Sequence, residues 1–457
     1  MNKQFSKFLL SLLLASVFAI NCTQAQQTTT LTLEQAIEAA KQNNSLLRIK
    51  QLQVSEQDAK VRESKVKYYP SVTVNAAYQY NAAFGQLTIP EGAFGALPLY
   101  YPNTGVVNVA LPDKEKTFDV SQHNNVNIGA TIYQPITQLK KIKTGVDVAK
   151  TEQAIAQAEL TKSELQIINA VEQYYYGILA IRKRKEEAQK NIEVAKLKLY
   201  DVQSALIAGK TTQVNEVGMQ ADIANQEQEL LKLKFQEEDY IAEFKKWTGI
   251  PGNELVLADE NTTAPISKML EEYQKSATTN NTDLQIINLQ KQKAELAIKV
   301  AKLSSLPDVG VFAGYTFQEG NNIMPKSNPY IGVNFKWNIQ DIFSNKQVLT
   351  QRQYVQQQAE ANEKYTKEQT AVSIEKAYRK MKQAEELIAV AQKAVDYRNA
   401  ELKLKKDRKE TGIGKPIEIL ETEAALAKSD ADLYGAIMSY KVALAELKML
   451  TENGNNK

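Results

Sequence analysis

The sequence predicts a mainly helical chain, duplicated internally, with four β-strands patterned for a membrane. Three observations lead there. A unit of about 200 residues occurs twice. Four segments of about 9–11 residues alternate apolar and polar side chains. Two proline-free stretches of roughly 70 residues carry apolar side chains at seven-residue spacing. Composition agrees with long helices, since glycine (19) and proline (12) are scarce among 457 residues.

Composition also excludes function classes. Hydrophobic residues make up 43% and charged residues 24%. That is too polar for a bundle of membrane helices, each needing about 20 consecutive apolar residues. Lys and Arg number 56 against 53 Asp and Glu, so no basic excess points to nucleic acid. One cysteine (Cys22) and one histidine (His123) leave little room for a zinc site or a His-dependent triad. The chain has no phosphate-binding G-x-x-x-x-G-K-[ST] loop. No enzyme, cofactor or metal is expected.

The first 25 residues read as a signal peptide. Lys3 and Lys7 precede the apolar run Phe8 to Ile20, and Thr23-Gln24-Ala25 places small residues before a cleavage point. The alternative, acylation at Cys22, fits less well because Asn21 sits where a small residue is usual. The repeats follow, at 26–249 and 250–450, then a polar tail at 451–457. Leu47-Arg48-Ile49 to Pro70 recurs as Leu284-Gln285-Ile286 to Pro307, and Gly209, Val214 and Val217 recur as Gly412, Ile417 and Leu420. The offset changes because the first copy carries an insertion at 82–124, which is expected as a mouth loop, either a folded lid or a disordered tip.

Each repeat reads as a short helix, two strands and a long helical hairpin. The strands lie around 71–81, 125–134, 308–318 and 330–339. Val72, Val74, Ala76, Tyr78 and Tyr80 alternate with Thr73, Asn75, Ala77 and Gln79, and the other three behave alike. The apolar faces carry no charge. This is the transmembrane barrel pattern, although a soluble sheet packed on a helix alternates in the same way. Tyr78, Tyr80, Tyr315 and Trp337 are candidates for an aromatic belt. Four strands are too few to close a barrel, so the membrane reading requires several chains to share one.

The hairpins span 140–248 and 340–450. Ile374, Met381, Ile388, Val395 and Leu402 repeat every seven residues, as do Val171, Ile178, Ile192 and Leu199, with Lys185 breaking the row. Such a heptad implies left-handed packing against a neighbouring helix. Gly209 and Gly412 end the long helices, and Pro416 suits the first turn of the next. Shorter helices are expected over 33–69 and 266–306. Tyr174-Tyr175-Tyr176 reads as helix packing with Tyr174 on the seam, and Arg182-Lys183-Arg184-Lys185 as a solvated face.

The chain resembles the TolC family of outer-membrane efflux proteins. The resemblance rests on Leu31-Thr32-Leu33-Glu34-Gln35-Ala36 with Asn43-Asn44, on Tyr68-Tyr69-Pro70, and on Trp247-Thr248-Gly249. Their second-copy counterparts extend it over nearly the whole mature chain. It implies a homotrimer whose chains each give four strands to one twelve-stranded barrel in outer-membrane lipid, continued by a helical tunnel through the periplasm. It also implies a passive exit duct working with a periplasmic adaptor and an inner-membrane transporter, which dock on the tips around Gly209, Gly412 and Gly414. The family's acidic tip positions fall on Glu418 and Glu421. These lie three apart on one helix face, and a ring of such carboxylates attracts cations. A solvated first turn is the plainer reading of the same pair. Gly414 stands where some members carry a basic gating partner. The competing function is a soluble periplasmic coiled-coil adaptor, which predicts a compact β domain beside a single hairpin.

Overall fold

The computed structural model describes residues 30–83, 85–251, 255–258 and 268–452. The expected signal peptide at 1–25, with Cys22, and all but the first two residues of the tail at 451–457 lie outside them. The described elements begin with α1 (Leu33–Asn43), α2 (Ser45–Val66) and β1 (Ser71–Tyr80). The insertion supplies β2 (Gln86–Ile89), β3 (Ala96–Tyr101), β4 (Gly105–Ala110) and β5 (Lys116–Asp119). Then come β6 (Ser121–Pro135), α3 (Leu139–Ile207) and α4 (Gln213–Thr248). The second copy gives α5 (Leu270–Asn280), α6 (Thr282–Ser304), β7 (Asp308–Asn321), β8 (Ser327–Lys336), α7 (Gln340–Glu410) and α8 (Pro416–Thr451). Helices α5 and α6 and strand β7 begin at the same offset from α1, α2 and β1 that separates Pro70 from Pro307. None of the described helices is long and apolar enough to cross a membrane.

The chain divides into two compact units that cut across the repeats. The helical unit takes the described residues of Met1–Val54, Ala156–Ile287 and Glu363–Lys457, and the sheet-bearing unit takes Ser55–Ile155 and Asn288–Asn362.

In the helical unit each repeat builds its own core. Tyr175, Phe244, Ile167, Val171 and Ile178 cluster with Ala36 and Ala40 of α1. Ile374, Met381, Ala377, Tyr440 and Leu447 cluster with Tyr273 and Ala277 of α5. The two cores trade sizes at matched positions, since Ala36 answers to Tyr273 while Tyr240 answers to Ala443. Tyr176 and Tyr175 are the buried members of the tyrosine run, not Tyr174, and Tyr175 is fully enclosed. Its hydroxyl donates to the carbonyls of Leu31 (3.1 Å) and Ala258 (2.7 Å), where Leu31 and Leu257 form a parallel bridge. Tyr174 instead meets Tyr240 edge-on at the rim of that cluster.

The expected helices over 33–69 and 266–306 are each broken once, at Asn44 and Asn281, and the break is instructive. Asn44 Oδ1 accepts from the amides of Leu46 (2.9 Å) and Leu47 (3.3 Å), while its Nδ2 donates to the Trp247 carbonyl (2.9 Å). Asn281 Oδ1 accepts from the Leu284 amide (3.0 Å), and its Nδ2 donates to the Leu450 carbonyl (2.9 Å). One side chain thus satisfies the first amides of one helix and a last-turn carbonyl of another, groups that helix geometry leaves unpaired. Both residues are buried.

Arg184 of the basic run is exposed as expected, but Arg182 and Lys185 are not part of a solvated face. Arg182 donates to Glu237 (2.8 Å) and to the Leu255 carbonyl (2.7 Å), and Lys185 closes on the same carboxylate. The residue that interrupts the heptad of α3 is there to meet a charge buried on α4. Burial pushes the Glu237 carboxyl up, but the hydrogen bonds from Arg182 and Lys185 outweigh that and hold it below the ordinary carboxylate range.

In the sheet-bearing unit, β1, β6, β7 and β8 pair antiparallel in that order. Directly opposed residues share a face. One face carries Val72, Ile132, Ala313 and Ile331 on one rung and Val74, Ala130, Tyr315 and Pro329 on the next. The other carries Thr73, Thr131, Gly314 and Tyr330, then Asn75, Gly129, Thr316 and Asn328. The alternation read from the sequence is therefore in register across all four strands. On the polar face, aromatic rings lie over glycines of the adjacent strand: Tyr133 over Gly310, Tyr330 over Gly314 and Phe312 over Gly332. The insertion is folded. β2 pairs with β5 and β3 with β4, so it prolongs the β1–β6 hairpin as a jointed arm. Its base is held by Asn322, whose Nδ2 donates to the Asp119 carbonyl (2.9 Å) and whose amide donates to that of Val120 (3.1 Å).

Candidate functional site

Two places in the chain have the form of a working surface, and each is built by short-range rules. The first is the four-stranded sheet. Its apolar face is open, with Val72, Val74, Ile132, Val333 and Phe335 exposed and Ile331 at 86% of its full accessibility. Strands β1 and β8 of 10 residues each have the length of a membrane-crossing strand. Each leaves one edge unpaired among the described residues. Exposed backbone donors on long apolar edge strands invite pairing with another chain.

The belt candidates fall at three levels of this sheet. Tyr78 shares a rung with Val126 and Glu319, and Tyr80 lies one pair further out, stacked on His123 (5.6 Å between centroids). Trp337 follows the last residue of β8 at the opposite end, its Nε1 donating to the Ser305 carbonyl (3.3 Å). Tyr315 sits mid-sheet opposite Ala130 and bonds Ser327 (2.9 Å). His123 Nδ1 lies 2.8 Å from the Asn81 carbonyl, a backbone contact at the root of the arm.

The second place is the pair of hairpin tips in the helical unit. Gly209 (φ 67°) and Gly412 (φ 81°) both adopt the left-handed conformation that ends a helix. The Lys210 amide reaches the Ala205 carbonyl (2.8 Å), and the Ile413 amide reaches that of Arg408 (3.0 Å). The second tip is tighter. Gly414 also donates to Arg408 (3.1 Å), and a Cβ at Gly414 would lie 2.8 Å from the Lys409 nitrogen. Pro416 then opens α8, so Glu418 falls in its first turn.

Glu418 is half-buried, and among the described residues no ion pair engages it. Glu421 is exposed and meets Lys198 of α3 at 2.8 Å. The next residue, Thr422, is buried, donating to the Glu418 carbonyl (2.7 Å) and accepting from Lys405 (2.7 Å). Glu423 faces Lys190 of α3 (3.7 Å) and Lys406 (3.4 Å). The two predicted carboxylates thus share one helix but differ in state. The lysines on α3 were not singled out in the sequence, because nothing local connects them to residues more than 200 positions away. The first tip has Asn215 and Gly218 at the equivalent positions. Asn215 bonds Thr211 (2.8 Å).

The profile of the outer membrane efflux protein family matches residues 36–238 and 274–452. The chain belongs to that family. The two matched segments coincide with the two copies of the duplicated unit. Solved structures agree on the fold. The chain is similar to the CusC channel, at 12% identity over 93% of both chains with a TM-score of 0.70. It is similar to the Campylobacter jejuni CmeC outer membrane channel, at 15% identity over 92% of this chain and 86% of that one (TM-score 0.70). The Vibrio cholerae outer membrane protein VceC matches at 15% identity over 93% and 97% (TM-score 0.68). No curated protein matches by sequence. Membership in this family sets aside the soluble adaptor, and the chain is an outer membrane efflux protein with the channel fold.

Proposed function

We propose that three copies close one twelve-stranded barrel and form a passive exit duct for an inner-membrane transporter, reached through a periplasmic adaptor. The observation that carries this reading is the apolar sheet face, exposed on four strands with both outer edges open. A sheet of that kind is stable in lipid only when its edges are paired, and three chains of four strands give twelve, a size within the known range of barrels and the number the family resemblance implies. The adaptor and transporter would dock at the tips around Gly209, Gly412 and Gly414, with the tunnel in the periplasm and the barrel in the outer membrane. The duct itself holds no energy source, so the transporter supplies it.

Gating belongs to the second tip. Threefold symmetry gathers Glu418 and Glu421 into a ring that attracts cations, and the Lys198–Glu421 pair ties the second hairpin to the first. Replacing both carboxylates (Glu418→Ala with Glu421→Ala) is expected to change single-channel conductance or relieve cation block in planar bilayers. Unchanged channels would remove the ring from the gate. Failure of the native protein to yield detergent-stable trimers would remove the shared barrel.

A further inference from the structure

The polar face of the sheet carries three aromatic rings at one level, and neither the strand alternation nor an aromatic belt calls for them there. Tyr133 and Phe312 oppose each other on one rung, with Gly332 beside Phe312, and Tyr330 lies on the next rung opposite Gly314. Rungs on one face are about 7 Å apart, so the rings form a compact patch. Each lies across a glycine of the adjacent strand: a Cβ on Gly310, Gly314 or Gly332 would collide with the ring above it. The Tyr330 hydroxyl reaches over β7 to Thr131 of β6 (2.6 Å), which pins its ring flat on the wall. Phe312 and Tyr330 are neighbours, 6.0 Å apart between centroids and tilted by 59°. All three rings are half-buried, one face on the backbone and the other open.

We propose that this patch is a transit site for uncharged molecules that carry a planar ring. The inference rests on the shared-barrel reading above, which turns the polar face toward the lumen, and it adds a class of cargo to that reading. Three observations support this occupant. The first is the π surface itself. Aromatic rings pair offset or edge-on at about 4.5–7 Å between centroids, and the tilted Phe312–Tyr330 pair leaves its open faces to such a partner. The second is preorganisation. The glycine hollows and the Thr131 bond fix the rings before anything binds, so a passing molecule has few side chains to order. Three copies set three such patches at one level of the lumen.

The third observation is charge. Asp308 and Lys336 oppose each other at the base of the sheet. From there to Gln79 and Gln318, the polar face carries no charged residue among those described. Asn75, Asn127, Thr316 and Asn328 supply neutral hydrogen-bonding groups on the rungs beyond the rings. An ion at this level meets no countercharge. A ring with a neutral polar group meets both a stacking surface and hydrogen-bond partners, the mixture of which small-molecule sites are made. Shielding the glycine backbone alone does not require this composition, because leucine or isoleucine would cover the same hollows.

Channel recording in planar bilayers tests the site, with N-acetyl-tryptophan amide as the probe and N-acetyl-leucine amide, which has no aromatic ring, as its control. In the native channel the indole probe is expected to halve the current at a concentration about 2- to 10-fold lower than the leucine probe, the factor that aromatic pairing supplies. Phe312→Leu with Tyr330→Leu should erase that difference. Tyr315→Leu, which removes a ring from the apolar face, should keep it. If the double variant does not assemble, Phe312→Leu alone, which breaks no side-chain hydrogen bond, should reduce the ratio. Native protein that is monomeric by light scattering in detergent overturns the shared barrel. Native channels that respond to both probes alike, or a ratio that survives replacement of the rings, overturn the transit site and leave the barrel standing. A ratio lost in Tyr315→Leu but kept in the ring variants places the apolar face inside and overturns both.

Discussion

Asn281 offers the sharpest test of how the helical unit is held. Replacing it with alanine removes two bonds at once, the cap on the Leu284 amide and the donor to the Leu450 carbonyl. A lost N-cap costs about 1 kcal/mol. A buried carbonyl left without its partner adds about 1–3 kcal/mol. Asn281 is only 2% exposed, so water does not replace either bond. The sum, about 2–4 kcal/mol, corresponds to a roughly 30- to 1000-fold rise in local opening, at tenfold per 1.4 kcal/mol. Amide hydrogen exchange across Thr282–Gln285 reads that opening directly. Asn281→Ser keeps a capping oxygen for the first turn and loses the reach to the Leu450 carbonyl, and should cost less than Asn281→Ala. Thr32→Ala provides the scale, because Thr32 caps α1 through an exposed capping box and does nothing else. It should cost about 1 kcal/mol. If Asn281→Ala accelerates exchange no more than Thr32→Ala, the double-cap argument is wrong.

Two further outcomes follow from the same structure. The Glu237 carboxyl is held below its ordinary value of 4.5, so its ion pairs stabilise the fold above that value and are lost as pH falls through the lowered one. Glu237→Gln should therefore lower the melting temperature at pH 7, and the difference from the native protein should shrink as the pH falls below 4.5 and through the lowered value. A Cβ at Gly314 would lie 2.5 Å from Tyr330 and 2.7 Å from the Ala130 carbonyl, which belongs to the backbone and cannot yield. Gly314→Ala should cost about 1–3 kcal/mol and reduce the heat-resistant oligomer on gels, whereas Gly145→Ala, with open space around it, should not.

Features set by local periodicity were legible in the sequence. Alternation across Val72 to Tyr80 placed a strand and its faces, and the heptad from Ile374 placed a buried helical face. The glycines at 209 and 412 marked the turns. What stayed hidden depends on partners far along the chain. Asn44 looked like part of a continuous helix because the carbonyl it serves is on Trp247. Arg182 and Lys185 looked like solvated charge because Glu237 is 55 and 52 positions away. The arm was obscured for another reason. Pro98 lies inside β3, and a proline demotes a run as a strand unless it stands at an unpaired edge. At the tip, the two glutamates were readable as a face, but the lysine that engages one of them was not.

The asparagine bolts also define mechanics. Asn44 fastens α2 to α4 at Trp247, next to the helix end, by a buried side chain, whereas near Gly209 the tie is the exposed bond from Gln203 of α3 to Glu216 (3.0 Å). Helix α4 is 36 residues long, so the far end stands about 54 Å from the bolt, and a swing of about 5° there displaces it by about 5 Å. Such a helix is a lever with a buried fulcrum and a far end held by exposed contacts. A small change of angle at the fulcrum therefore shifts the far end by about the width of a side chain.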